Sequence, residues 1–300
     1  MLITERLKEQ KDFSKVDTVI ADYFLNEENE WAEKSLRQIA QLLFVSPSSI
    51  VRLCQKIGFE GFLDFRTAYL HELNYLSSDF GKIDINYPFD MKDRNTKISG
   101  KLKNLYIETI EDTFSLLGHD ALALAESLLV KADDIYICSA GAPSDLARAF
   151  QEKMVKIGKN VIIDNRLDMM FYQACYAKQD SVFLFISYSG ETETLIRIAH
   201  KLKERKLQSI ALTSYGGNSL SELATVTLYL STHESLVHNI GNFSLYPSVL
   251  FLLDVLYANV FSRNYEKHLA DKIKYTKEYE KRRKSYNPLL SGGEKNKDSN

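Results

Sequence analysis

The chain has 300 residues, a hydrophobic fraction of 45% and nearly balanced charge, with 38 Lys and Arg residues against 40 Asp and Glu residues. This length and apolar fraction suffice for two domains with separate cores, and the balanced charge excludes a global field as the basis for binding nucleic acid or membranes. The three cysteines, Cys54, Cys138 and Cys175, lack disulfide or metal-ligand spacing, so we expect reduced thiols and no metal or cofactor.

The N-terminal segment is charged and lacks the apolar stretch of a signal peptide, which predicts a cytoplasmic protein with no membrane partner. Helical periodicity then extends from residue 16 to residue 76 and is interrupted by short breaks, which predicts a domain of short helices. Trp31 is expected to lie in the core of this domain.

Residues 35–57 have the pattern of two short helices joined by a tight turn. Apolar residues form one face of each helix, and Ser46 followed by Pro47 is a typical helix start, with an N-cap hydroxyl and a proline in the first turn. This pattern indicates a helix-turn-helix, in which the second helix lies in the major groove of DNA.

Basic and hydroxyl side chains of this segment are the candidate DNA contacts. Residues 34–59 include four basic residues and no acidic one. Arginine suits guanine, and hydroxyl groups suit phosphates or bases. We expect contacts at the start of the second helix from Ser46, Ser48, Ser49 and Arg52, with phosphate contacts from Lys34, Arg37 and Lys56. The alternative is a three-helix interaction module whose basic stripe is merely solvated.

A polar segment, residues 78–100, predicts a linker between a domain of residues 1–77 and one of residues 101–285. Helices are predicted over residues 102–117 and 119–131. Beyond them, apolar segments alternate with amphipathic helices, which predicts a parallel sheet with helices on both faces. The predicted strands are 135–138, 161–163, 181–186, 209–213 and 226–230.

Two features follow the last strand. A long apolar helix over residues 243–261 is expected to pack against the sheet or against a partner subunit. The basic segment 263–284 predicts a solvated terminal helix, with a second DNA contact as the alternative, and residues 286–300 are predicted to be disordered.

The turn at residues 187–192 follows the third predicted strand and precedes an amphipathic helix. A helix N-terminus presents unpaired amides and a partial positive charge, and Gly190 allows a ligand to approach the main chain. Ser187, Ser189 and Thr192 add hydroxyl donors, so the turn predicts a phosphate cradle. The alternative is that Thr192 is an ordinary N-cap and the serines are turn formers.

The two halves together resemble one family. The run from Ser46 to Phe62 resembles the DNA-binding domain of the RpiR family of bacterial transcriptional regulators, and the second half resembles the sugar isomerase (SIS) domain of that family. The resemblance implies an all-α helix-turn-helix domain followed by an α/β three-layer SIS domain with a five-stranded parallel sheet. It implies a homodimer or homotetramer that binds double-stranded operator DNA, regulates sugar or amino-sugar metabolism and binds a phosphorylated sugar without turning it over.

The resemblance also implies effector contacts, from Ser139, Gly141, Ser144, Ser187, Ser189, Gly190, Thr192 and Thr213. The first SIS loop departs from the family pattern G-x-G-x-S, because it reads Ser-Ala-Gly-Ala-Pro-Ser over residues 139–144. Pro143 stands where the family has its serine, so the hydroxyl is expected one residue later, at Ser144. In the DNA-binding turn, Phe44 stands where glycine is common, and this departure weakens nothing essential if its φ is negative.

The alternative function is a sugar-phosphate isomerase, which needs a base beside the substrate. The candidates near the predicted loops are Glu191, His233, Glu234 and His238, and the sequence gives none of them an orienting partner. A DNA-reading domain has no role in such an enzyme, so we expect no catalytic residues. A pure protein-interaction module would leave the phosphate turn unexplained.

Overall fold

The computed structural model describes residues 2–26, 31–77, 83–141 and 143–280. Helices form the N-terminal region: α1 (Ile3–Glu9), α2 (Lys15–Asn26), α3 (Leu36–Leu42), α4 (Pro47–Lys56) and α5 (Phe62–Ser77). Trp31 is fully buried among them, stacks on Tyr69 with ring centroids 5.4 Å apart and meets Phe24 edge to face. The prediction that Trp31 belongs to the core is confirmed.

Helices α3 and α4 form the predicted helix-turn-helix. The Ser46 hydroxyl accepts the Ser49 N–H and Pro47 occupies the first turn, so the predicted start of α4 is confirmed. The condition stated for Phe44, a negative φ, is not met, because its φ is +54°; the residue is 96% exposed. This left-handed conformation lets the Val45 N–H donate to the Ala40 carbonyl, which ends α3. For a residue with a Cβ, the conformation costs about 1–2 kcal/mol of stability.

The remaining elements follow in chain order. They are α6 (Asn95–Ser115), α7 (His119–Lys131), β1 (Asp134–Ser139), α8 (Ser144–Val155), β2 (Asn160–Ile163), α9 (Leu167–Tyr176), β3 (Val182–Ile186), α10 (Glu193–Arg205), β4 (Gln208–Ser214), α11 (Ser219–Leu223), β5 (Val226–Leu230), α12 (Leu245–Ser262) and α13 (Tyr265–Tyr279). Helix α6 begins at Asn95, inside the segment predicted as linker and earlier than its apolar periodicity indicated.

All paired strands run parallel, in the order β2-β1-β3-β4-β5. Helices α7, α8 and α12 cover one face of the sheet, and α9, α10 and α11 cover the other. The predicted all-α plus three-layer α/β architecture is therefore confirmed, and the sheet has its five predicted strands.

Helix α12 is long and apolar enough to cross a membrane. Its buried residues, Val249, Leu252, Leu253 and Leu256, instead join the core of the sheet. Helix α13 has no buried residue, as expected for a solvated helix. The predicted disordered tail and residues 78–82 of the predicted linker lie outside the described part of the chain.

Candidate functional site

The carboxyl ends of β1 and β3 lie side by side at one edge of the sheet. The chain leaves β1 through α8 toward β2 at one edge and leaves β3 through α10 toward β4 in the opposite direction. In open parallel sheets, ligands bind where the winding reverses, and the strand order 2-1-3-4-5 reverses between β1 and β3. The predicted phosphate turn therefore lies at the position that the topology favours for a ligand.

The turn at residues 187–192 brings its hydroxyl groups together. Ser187 extends the β3 ladder by donating its N–H to the Leu212 carbonyl, and its own carbonyl accepts the Gly190 N–H at 3.2 Å. The hydroxyl oxygens of Ser187 and Thr192 lie 3.3 Å apart. Thr192 precedes α10, yet its side chain makes no capping hydrogen bond. Its hydroxyl is thus directed toward the turn, as a phosphate cradle requires.

A second layer of side chains holds this turn from beneath. Gly190 has φ +67°, and a Cβ there would lie 1.9 Å from the Asn218 side-chain oxygen. The Asn218 amide donates to the hydroxyl of Thr213 at 3.0 Å. Thr213 is fully buried, so the structure places it under the turn. Glu191 accepts the N–H and the hydroxyl of Ser219, both at 2.8 Å, and completes the support.

The residues that follow β1 lie at the same edge of the sheet as the phosphate turn. Ser139 pairs in register with Ile186, the residue before Ser187, and its buried hydroxyl has no hydrogen-bond partner among the described residues. Gly141 is exposed with φ +74°, and its carbonyl accepts the N–H of Ser144, the first residue of α8. The N-terminus of α8 therefore lies at the same edge of the sheet as the N-terminus of α10.

The candidate bases for isomerisation have structural roles. Glu234 is 5% exposed, and its carboxylate accepts the N–H groups of Phe243, Ser244 and Leu245 at the start of α12. Burial raises the pKa of Glu234, and the three amide donors offset part of the rise. Glu191 is occupied by Ser219, as described above.

The two histidines differ in their surroundings. The Nε2 atom of His233 lies 3.6 Å from an Asp112 carboxylate oxygen, and the His233 ring packs on Tyr75 at 5.0 Å. His238 is exposed. In the described hydrogen bonds neither histidine pairs with Glu191 or Glu234, and His233 faces Asp112 instead.

The DNA-reading candidates lie at the start of α4. Arg52, Ser46 and Ser48 are exposed, and the Arg52 guanidinium donates to the Ser49 hydroxyl at 3.3 Å. Ser49 itself is buried and bonds to Ser46, so it supports the helix start. These contacts direct Arg52 along the exposed face of the recognition helix.

The predicted phosphate-contacting residues flank that face. Arg37 on α3 is exposed and Lys34 is half-buried. Lys56 forms an ion pair with Asp17 of α2 at 2.8 Å. Burial raises the pKa of Asp17, but hydrogen bonds from Lys56 and Ser14 outweigh it and leave the pKa below its usual value. Lys56 is therefore anchored to α2.

Two residues that the sequence did not single out belong to this architecture. Asn218 supports the phosphate turn, and the Gly216-Gly217-Asn218 run after β4 is the only sequence signal that marks it. Asp112 on α6 faces His233 from a helix whose pattern carries no such signal. The roles of both residues depend on contacts between segments that are far apart in the sequence, so only the structure identifies them.

Two family models match separate parts of the chain. A model of the "Helix-turn-helix domain, rpiR family" matches residues 1–75, and a SIS domain model matches residues 128–259. The HTH-type transcriptional regulator YbbH of Bacillus subtilis is 28% identical over 82% of this chain and 86% of its own length. An HTH-type transcriptional regulator of Clostridium perfringens is 26% identical over 92% of this chain and 98% of its own length.

Two solved structures share the fold. The Vibrio vulnificus NanR protein complexed with ManNAc-6P superposes with a TM-score of 0.56 at 24% identity, covering 92% of this chain and 97% of that chain. The sugar isomerase domain of an RpiR transcription factor from Sphaerobacter thermophilus gives a TM-score of 0.52 at 15% identity, covering 60% of this chain and 98% of that chain.

Proposed function

This chain belongs to the RpiR family of transcriptional regulators, which join a helix-turn-helix domain to a SIS domain, and we propose that a phosphorylated sugar controls its binding to operator DNA. The observation that carries the proposal is the convergence of the Ser187 and Thr192 hydroxyls, Gly190 and the α10 N-terminus at the switch point of the sheet. A phosphate dianion is the ligand that such a set of donors fits best.

The effector class follows from the same site. In this proposal residues 187–192 hold the phosphate, and the sugar ring extends toward the loop at residues 139–144. The buried Ser139 hydroxyl there has no hydrogen-bond partner among the described residues and could bind the sugar. NanR, which shares the fold, is complexed with ManNAc-6P. N-acetylhexosamine 6-phosphates are therefore the first esters to test. The proposed protein is cytoplasmic and regulates sugar or amino-sugar metabolism.

Sensing without turnover is the mechanism that the site supports. An isomerase would need a base free to remove a proton beside the sugar carbonyl. Glu191 and Glu234 instead accept hydrogen bonds that hold the loops and start α12. The ligand accordingly acts through its binding energy, by favouring one arrangement of the protein over another.

Thermal stability tests the effector class directly. Hexose, hexosamine and pentose phosphates, compared with their parent sugars, are expected to include at least one ester that raises the melting temperature by several degrees at about a hundredfold excess over its Kd. The phosphate supplies most of the affinity, so its parent sugar should give no shift. Equal shifts from an ester and its parent sugar would contradict the phosphate cradle.

DNA reading is expected to depend on Arg52. Arg52→Ala should weaken binding to a duplex selected from a random pool by about 1–3 kcal/mol, because an arginine paired with a base edge supplies that much discrimination. Arg37→Ala is the matched comparison and should weaken selected and scrambled duplexes alike, as loss of a phosphate contact does. Fluorescence anisotropy measures both, and equal losses on the two duplexes for Arg52→Ala would reduce Arg52 to a phosphate contact.

We also propose a symmetric oligomer built through the SIS domain. An apolar groove of about 460 Å³ lies between α6, α8 and α12 and is lined by Tyr106, Ile110, Leu146, Tyr246, Pro247, Leu250, Phe251 and Asp254. Helix-turn-helix proteins read paired half-sites roughly 34–36 Å apart, which requires two recognition helices. A second copy of the chain seated on this groove supplies the second helix and covers the apolar surface.

A further inference from the structure

The last turn of α5 contacts the loops at the carboxyl edge of the SIS sheet. The Tyr75 hydroxyl accepts the Thr232 N–H at 2.8 Å, and the Tyr75 ring lies 4.7 Å from the Tyr215 ring and 5.0 Å from the His233 ring. The Tyr215 N–H donates to the Thr232 hydroxyl at 2.8 Å. One side chain of the helical domain thus joins the loops that follow β4 and β5.

The same helix is fixed in the core of the DNA-binding domain. Glu72 is 2% exposed, and its carboxylate accepts the N–H groups of Ile3 and Thr4 at the start of α1. One turn earlier, Tyr69 stacks on Trp31. Because α5 is continuous from Phe62 to Ser77, a displacement at Tyr75 is transmitted to the packing of α1 and of the core behind the recognition helix.

The phosphate turn is connected to the other side of Tyr75. The Ser214 N–H donates to the Tyr188 carbonyl at 3.0 Å, and the Tyr188 hydroxyl donates to the Glu234 carbonyl at 2.8 Å. Asn218 packs directly under Gly190. The turn at 187–192, the segment at 213–219 and the loop at 232–234 therefore form one hydrogen-bonded unit, and Tyr75 contacts two of its three parts.

We infer that Tyr75 is the positioning residue through which the occupied or empty state of the phosphate turn changes the DNA affinity of the helix-turn-helix domain. This inference rests on the proposed function and adds the route of regulation. A ligand that tightens residues 187–192 shifts the 213–219 segment on which the Tyr75 ring rests, and the Thr232 hydrogen bond carries the shift into α5. Burial raises the pKa of Tyr75, which keeps its hydroxyl protonated.

Tyr75→Phe tests the inference, because it retains the ring and removes the hydroxyl that accepts the Thr232 N–H. The matched control is Tyr172→Phe on α9, where the hydroxyl belongs to a 58% exposed side chain. In the full-length wild type, a stabilising phosphate ester is expected to change the Kd for a selected duplex at least fivefold, the lower end of typical allosteric coupling. In Tyr75→Phe the ratio of the Kd values with and without the ester should fall toward one, while the ester still raises the melting temperature. Tyr172→Phe should behave as wild type.

A second readout needs no ester. Linkage is reciprocal, so the selected duplex should change hydrogen exchange in a peptide covering residues 213–219 of the wild type and of Tyr172→Phe, but not of Tyr75→Phe. The inference would be overturned if Tyr75→Phe kept the Kd ratio or the exchange response of the wild type. Loss of the ester's thermal shift in that variant would also overturn it. If no ester stabilises the wild type but the exchange pattern holds, the proposed effector class is wrong and the coupling through Tyr75 stands.

Discussion

Gly190→Ala is expected to abolish stabilisation of the protein by every phosphate ester that stabilises the wild type. The residue adopts φ +67°, and a Cβ there would lie 1.9 Å from Oδ1 and 2.1 Å from Cγ of Asn218. Asn218 cannot yield without losing its hydrogen bonds to Thr213 and to the Ser214 carbonyl. The turn must therefore reshape, and the donors around the phosphate lose their geometry. Thermal shift with the ester panel measures the loss.

Gly158→Ala is the control for backbone strain alone. Gly158 has φ +84° in the turn after α8, but a Cβ there would meet no atom within 4 Å. It should cost about 1–2 kcal/mol of stability and leave the ester-induced shift unchanged. A full ester response in Gly190→Ala would show that the phosphate does not bind at this turn.

Leu250→Asp is expected to convert the oligomer to a monomer and to weaken operator binding by about a hundredfold or more. Leu250 lies in the apolar groove and is 40% exposed in the single chain. A carboxylate there would be buried without a partner in the proposed interface. A monomer would also lose the added affinity that a dimer gains by binding both half-sites at once. Light scattering and anisotropy with a selected duplex report the two effects.

Val155→Asp provides the matched substitution. Val155 is 54% exposed near the other end of α8, outside the groove, so the variant should keep the wild-type mass and DNA affinity. A monomeric wild type at micromolar concentration, or an unchanged mass for Leu250→Asp, would exclude the groove as the interface.

Much of the fold could be predicted because its signals are local. The strands are short apolar runs between amphipathic helices, and the predicted bounds differ from those of β1 to β4 by a residue or two and coincide with β5. The start of α6 was missed because its first residues, from Asn95 to Gly100, are polar or small and carry no apolar period. The positive φ of Phe44 could not be predicted, because the exit geometry of α3, rather than side-chain preference, sets it.

The candidate site was predictable only in the turn itself. The hydroxyls and glycine at 187–192 are adjacent in sequence, so their chemistry could be inferred before the fold was known. The support from Asn218 and the contact of Tyr75 with Thr232 join segments far apart in the chain. The same limit applies to Lys56, whose charge indicated a DNA contact, while its partner Asp17 lies on another helix.

The central claim is that a phosphorylated sugar controls DNA binding, and one measurement tests it most directly. The Kd of the full-length chain for a selected duplex is determined by fluorescence anisotropy during titration with each ester and with its parent sugar. At least one ester should change this Kd fivefold or more, and its parent sugar should leave it unchanged. An unchanged Kd with every ester, or equal effects of esters and parent sugars, would contradict the account.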